Sequence, residues 1–261
     1  MIASLMKRAD SKYFSLLKEI AVCQFKLKDQ STFFGFLWSF LHPLLLLLVL
    51  FLFFHARVGE SVPHYAIFLL IGIIHFTHFS NSTSSSMTVV QNMKQLVTNV
   101  VMPRELLVIG SVLANTVEFL IAMPISIAIG YFSGVPLSWT LTLLPVLYLL
   151  EILLVLWVSF FMCCLYVFVR DIGHIYQVFL RVLFFMTPIF YTTAFLGNGP
   201  AKYVVVLNPL AYVIHFARSI IMNDDFSPPR DFLLFIAVNA VLVIIAIFTF
   251  KRVETKFAEY V

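Results

Sequence analysis

Six apolar runs, at about residues 36–55, 64–87, 105–132, 138–168, 173–192 and 231–250, constrain this chain more than any other feature. A helix needs roughly 20 residues to cross a bilayer, and each run is near or above that length. Only 11% of the residues are charged and 61% are hydrophobic, whereas a soluble domain carries roughly 25% charge. Mean hydropathy is +0.99. Lipid is therefore the main solvent. The expected fold is an all-α integral membrane protein with six transmembrane helices. Pro124 interrupts the third run, a break that membrane helices tolerate because neighbouring groups satisfy the freed carbonyl. Residues 1–261 read as a single transmembrane domain, with an amphipathic N-terminus over 1–35, a six-span core over 36–250 and a tail over 251–261.

Six spans put both termini on one side, and positive charge selects which. Lys7, Arg8, Lys12, Lys18, Lys26, Lys28, Lys94, Arg104, Arg170, Lys251, Arg252 and Lys256 fall on one face, twelve of the 17 lysines and arginines. Arg57, Lys202, Arg218 and Arg230 fall on the other, and Arg181 lies within a span. The positive-inside rule makes the richer face cytoplasmic. The net charge of +4 follows from this topology, and nucleic-acid binding is not needed to explain it. The charged N-terminus precedes the first span by more than 30 residues, unlike the layout of a cleaved signal peptide. Cys23, Cys163 and Cys164 make no disulfide framework; the adjacent pair inside a span reads as small apolar packing.

Two segments outside the spans are too apolar to be plain loops. In 11–28, Tyr13, Leu16, Leu17, Ile20, Cys23 and Leu27 recur at helical spacing, opposite Lys12, Glu19 and Lys26. Such a helix is suited to the cytoplasmic headgroup plane. On the other side, 193–230 holds two apolar stretches, 203–207 and 210–222, punctuated by Pro200, Pro209, Pro228 and Pro229. Each is too short to cross, so two short re-entrant helices between spans five and six are expected.

Polar residues within the spans need a reason, because each costs energy there. His75, His78, Ser82 and Ser85–Ser86 share one face of the second span, and His174, Gln177 and Arg181 one face of the fifth. Glu118 and Glu151 sit mid-span in the third and fourth. At ~1.5 Å per residue, Arg181 lies ~16 Å beyond Arg170 and Glu118 ~20 Å beyond Glu105. Those depths nearly match, which makes an Arg181–Glu118 pair geometrically possible; the plain reading of these groups is a structural ion pair or water-facing groups in a wide pore. No metal-spaced His/Cys set, nucleophile elbow or HExxH occurs, and none of the nine glycines precedes a lysine, so there is no P-loop. Work done by this protein would draw its energy from another chain.

Two further stretches stand out. QNMKQLVTNVVMPRELL (91–107) joins two spans but has helix formers, an apolar face at Met93, Leu96, Val97 and Val100–Val101, and a Pro-Arg-Glu ending. That is more than a chain reversal needs. Aromatics make up 16% of the chain, and FFGFLWSFLHP (33–43) concentrates five of them beside His42. Aromatic faces stack on the apolar faces of sugar rings.

In order along the chain, several motifs resemble the permeases of polysaccharide-exporting ABC transporters, the type-2 ABC permeases. FFGFLWSFLHP resembles their G-x-L-W-x-x-x-x-P opening of span one, and LVTNVVMPRELL (96–107) their cytoplasmic segment with Pro-Arg. FVRDIGHI (168–175) resembles their R-D turn, TPIFY (187–191) their end of span five, and LNPLAYVIHFAR (207–218) their external N-P helix. The pattern is nearer the O-antigen and teichoic-acid exporters than the capsule branch. It departs at GIIHFTHF in span two and at Arg181.

The resemblance implies a homodimer in the bacterial cytoplasmic (inner) membrane, with two copies of a separate P-loop ATPase that binds ATP and Mg; this chain itself holds no cofactor or metal. It implies a continuous channel for a polyprenyl-diphosphate-linked polysaccharide. On this reading Asn92, Lys94, Gln95, Leu96, Val97, Val100, Arg104 and Glu105 dock the ATPase through an apolar face, with Arg170 and Asp171 as a second contact. Phe34, Trp38 and His42 form a channel stripe facing Gln177, Arg181 and Phe185, and Lys26 and Lys28 meet the lipid diphosphate at its entry. Competing readings are an ion- or proton-coupled exporter, in which His75, His78, Glu118 and Glu151 titrate, and a non-transporting membrane scaffold.

Overall fold

A computed structural model describes residues 2–29, 37–100, 102–193, 199, 203, 205, 207–223 and 229–260. Among these, regular structure is helical throughout: α1 (Ile2–Asp29), α2 (Trp38–Phe54), α3 (Tyr65–Asn92), α4 (Lys94–Asn99), α5 (Glu105–Phe132), α6 (Leu144–Phe168), α7 (Ile172–Met186), α8 (Pro209–Arg218), α9 (Pro229–Val253) and a closing turn α10 (Phe257–Tyr260). A 3₁₀ turn, Trp139–Leu143, leads into α6, and a π turn, Ser219–Asn223, extends α8.

Among the described residues, four helices are long and apolar enough to cross a membrane: Tyr65–Asn92, Glu105–Phe132, Trp139–Phe168 and Arg230–Lys256. The first and fifth apolar runs form shorter helices, of 17 residues in α2 and 15 in α7. α7 ends early because Pro188 cannot continue it, and the 187–191 stretch instead bends around Arg218. Arg218 Nη1 donates to the Pro188 carbonyl at 2.6 Å and Nη2 to that of Ile189 at 2.7 Å. Arg218, one of the cations assigned to the face opposite the termini, is only 7% exposed. Of the two expected re-entrant helices, only the second is described in full, as α8. α5 keeps Pro124 within it and closes on Gly134, whose φ of 92° admits the bonds Gly134 N–H to Tyr131 O and Val135 N–H to Gly130 O. This is the left-handed closure that glycine allows at low cost.

α3 is the central helix, packed by α2, α5, α6, α7 and α8. Its apolar residues face every direction, and Leu69, Ile71 and Ile73 are completely enclosed. A helix apolar all round is a helix surrounded by others. α9 packs mainly on α6 and leaves Leu233, Leu234, Ile244 and Phe248 exposed, as a lipid-facing helix does. A second core gathers at the α4 end from Ile20, Val90, Val97, Leu106, Phe160 and Phe257.

α1 packs one face along α5. It crosses α5 where Gly110 lets Ile20 approach; a Cβ on Gly110 would lie 2.7 Å from Ile20 Cγ2. Beyond the crossing, Gln24 donates to the Leu107 carbonyl at 3.1 Å and Lys28 reaches Asn115 and Glu118. The stripe Ile20, Gln24, Lys28 has the four-residue spacing of one helix face. That face packs on α5.

Candidate functional site

The tip formed by α3, α4 and the start of α5 is built outward from the second core. Val97 is buried, and Met93 and Leu96 pack partly against the same cluster. Of the expected apolar docking face, Val97 turns inward against the chain's own Ile20, Leu106 and Phe257, Met93 and Leu96 are half-buried, and Val101 lies outside the described residues. What faces out is polar: Asn92, Lys94, Gln95, Thr98 and Asn99, with Val100 at 47% exposure as the one apolar residue among them. Arg170 and Asp171 are exposed in the α6–α7 turn.

Arg104 and Glu105 turn toward the C-terminal segment. Arg104 Nη1 donates to the Glu254 carbonyl, and Glu105 lies 4.0 Å from Lys251 Nζ. Phe257 is fully buried against Phe250 and Phe168, with ring centroids 5.3 and 6.4 Å away. Burial first, and then the Glu105 and Glu254 carboxylates, push the Tyr13 hydroxyl above its ordinary pKa, which brings α1 to the same end. Arg104 thus anchors the tip to its own chain and is not free to orient a partner.

Deeper in the bundle, a cavity of about 370 Å³ opens between α1, α2, α3 and α5, lined among others by Lys28, Trp38, His42, His78, Asn115 and Glu118. Lys28 Nζ lies 2.6 Å from Glu118 Oε1 and donates to Asn115 Oδ1 at 2.8 Å. The Arg181–Glu118 pair that depth along the chain allowed is not formed: Glu118 meets Lys28 of α1, while Arg181 lines a different groove. Lys28 is a neutralised cation at the cavity mouth, and Lys26 stays exposed.

Arg181 lines a separate groove of about 290 Å³ with Leu46, Phe76, Ser80, Gln177 and Phe185. Gln177 Nε2 donates to Ser84 Oγ at 3.2 Å. Within one chain the α7 stripe and the Trp38–His42 pair thus open into different spaces and do not face each other. Phe34 lies outside the described residues.

His75 and His78 both reach Glu151. His75 Nδ1 is 2.6 Å from Oε2, His78 Nδ1 is 2.9 Å from Oε1, and His78 Nε2 is 3.2 Å from Thr116 Oγ1. The two histidines sit three residues apart on α3, so they share a face. That spacing was legible; that Glu151 was their partner was not, because helix neighbours are set by packing. Asn115, Thr116 and the buried role of Arg218 went unread for the same reason.

The sequence profile of the ABC-2 type transporter family matches residues 16–222. The chain is 26% identical over 249 residues to the O-antigen export system permease protein RfbA of Myxococcus xanthus, covering 95% of this chain and 96% of that protein. It is 27% identical over 250 residues to a protein of the same name from Klebsiella pneumoniae, covering 94% and 95%. The family profile spans α2 to α8 and so takes in the central helix, the α4 tip and the Arg218 staple. The chain belongs to the ABC-2 type transporter family.

Proposed function

We propose that this protein is the permease subunit of an ATP-driven exporter of polyprenyl-diphosphate-linked polysaccharide, with O-antigen the foremost class and teichoic acid or capsule behind it. The observation that supports this best is the polar tip Asn92–Val100, mounted on a rigid core at one end of a chain so similar in full length to O-antigen export permeases. Two copies form a homodimer in the inner membrane, each crossing six times with both termini cytoplasmic; in that arrangement α2 and α7 complete their crossing within the dimer. Two copies of a P-loop ATPase, which hold ATP and Mg, seat on the tips and on Arg170–Asp171.

A polymer longer than the bilayer is thick needs a continuous path, which a two-fold axis between two chains supplies. Gln177, Arg181 and Phe185 offer hydrogen-bonding groups and a stacking ring on a helix that cannot place an exposed arginine in lipid cheaply. Lys26, exposed on α1, is the first contact for the lipid diphosphate, and Lys28 acts only once it leaves Glu118.

The test is charge reversal at the outward-facing positions, Lys94→Glu with Arg170→Glu. The double variant should insert and purify as the parent does, lose capture of the ATPase subunit and stop export. If it captures the ATPase and exports normally, the tip is not the docking surface.

A further inference from the structure

The segment that follows α9 reaches toward both places assigned above to the ATPase. α9 ends at Val253, and a 3₁₀ turn, Glu254–Lys256, redirects the chain into α10. The Glu254 carbonyl accepts the Phe257 N–H that closes this turn and also Arg104 Nη1. A carbonyl oxygen has two lone pairs, so it can hold both donors. Arg104 stands immediately before α5, at the base of the α4 tip. The turn is thereby fastened to the tip.

Phe257 then enters the second core. It is completely enclosed, in one buried cluster with Val97 of the tip and Val167 of α6. Phe168 ends α6, two positions before Arg170, and its ring centroid lies 6.4 Å from that of Phe257 and 4.9 Å from that of Tyr260, edge-on to each. Tyr260 is 52% exposed, beside the exposed turn that carries Arg170 and Asp171. The turn itself is braced. Ile172 and Gly173 N–H donate to the Val169 and Arg170 carbonyls at 3.2 and 3.0 Å, and a Cβ on Gly173 would lie 2.9 Å from the Tyr166 ring.

These contacts differ in strength. Lys251 Nζ is 4.0 Å from Glu105 with its side chain 58% exposed, so water screens that pair and it contributes little. A buried phenylalanine ring is held over its whole surface, and its loss leaves a cavity that neighbours fill only in part. Phe257 therefore holds the arrangement, while Arg104 ties it to the tip and Tyr260 ties it to the turn. α4 itself packs chiefly on α3, so the tip depends on this cluster for its position relative to the turn.

We propose that Lys251–Tyr260 joins the tip and the α6–α7 turn into one composite docking surface, with Tyr260 as an exposed member, and fixes the spacing at which the ATPase meets both. The identity of the partner rests on the transport reading; the geometry of the bridge does not. A partner that must touch two sites at once binds best when their spacing is set in advance, because neither site has to be ordered on contact.

Amide hydrogen exchange on the full chain in lipid nanodiscs tests the bridge with no ATPase present. Phe257→Ala should speed exchange at least about tenfold at the hydrogen-bonded amides of both Val97 and Val100 in the tip and Ile172 and Gly173 in the turn, with residues 69–73 of α3 still protected. Arg104→Gln should loosen the tip alone and Tyr260→Ala the turn alone, and these two decide the matter if Phe257→Ala does not fold. Phe257→Leu, which keeps an apolar filler, should restore most of the protection. Unchanged exchange at tip and turn, or faster exchange spread through α3 as well, would overturn the bridge. Titrating the ATPase subunit onto the same nanodiscs separates bridging from mere bracing of the fold. Phe257→Ala and Tyr260→Ala should weaken binding at least about tenfold, and Phe257→Leu and Tyr260→Phe should bind nearly as the parent does. Equal binding by the parent, Phe257→Ala and Tyr260→Ala would overturn the bridge alone, whereas failure of the parent to bind the ATPase would overturn the transport reading itself.

Discussion

Arg218 shows how one buried cation is held without a carboxylate partner among the described residues. Its Nε and Nη2 donate to the Phe68 carbonyl at 3.1 and 2.8 Å, in addition to the bonds to Pro188 and Ile189, and its guanidinium carbon lies 3.3 Å from the centre of the Phe68 ring. A planar fork can reach three carbonyls on two segments at once; a lysine ammonium is a single point on a flexible stem. Arg218→Lys should therefore destabilise the protein by ~2–4 kcal/mol, since carbonyls and a charge are left partly unpaired. The measurement is the thermal midpoint of the purified protein, and a midpoint equal to the parent's would show that the staple is dispensable. Gly72 belongs to the same device, because a Cβ there would lie 2.8 Å from Arg218 Nη2 and 3.3 Å from the Ile189 backbone. Gly72→Ala should cost ~1–3 kcal/mol, read in the same assay.

At the scale of elements, the docking of α1 on α5 decides what the interfacial helix can do. Gly110 and Lys28 fix it at two points. Gly110→Val should lift α1 from α5 and expose it to limited proteolysis while α3, α5 and α6 remain protected; an unchanged digestion pattern would mean the close approach is incidental. The ion pair itself is partly exposed, with side chains at 32 and 12%, so its worth is modest, ~1 kcal/mol. In double-mutant cycles, Lys28→Met and Glu118→Gln should couple, whereas Arg181→Leu and Glu118→Gln should simply add. Coupling in the second cycle instead of the first would restore the pair that sequence depth alone suggested.

For the whole molecule, the exposed faces of α9 and α7 differ in polarity. α9 exposes only apolar groups across its middle, such as Val241 at 55% and Ile244 at 68%, whereas α7 exposes Gln177 and Arg181 among Val178, Val182 and Phe185. If α7 lines an aqueous path, Arg181→Cys with Cys23→Ser should react with a membrane-impermeant maleimide, and Val241→Cys in the same background should not. The remaining cysteines, Cys163 and Cys164, are buried and give little signal. Equal labelling at both positions would show that α7 does not border water.

Apolar runs, their number and the bias of lysine and arginine are properties of the chain read in order, and they carried the helical membrane class and the family motifs before any coordinate. Hydropathy has that power because lipid acts on every residue of a span alike. Tertiary structure decided what depends on which helix lies beside which. Glu118 met Lys28 because α1 climbs α5 at Gly110, and Glu151 met two histidines because α6 packs on α3. Val97 turned inward because the C-terminal Phe257 and Ile20 of α1 close a core behind it. Arg218, counted as an outer charge, became a buried staple because Pro188 ended α7 and freed carbonyls for it. Pairings of this kind join residues tens of positions apart, where periodicity along one helix says which face a side chain takes and nothing about what that face will touch.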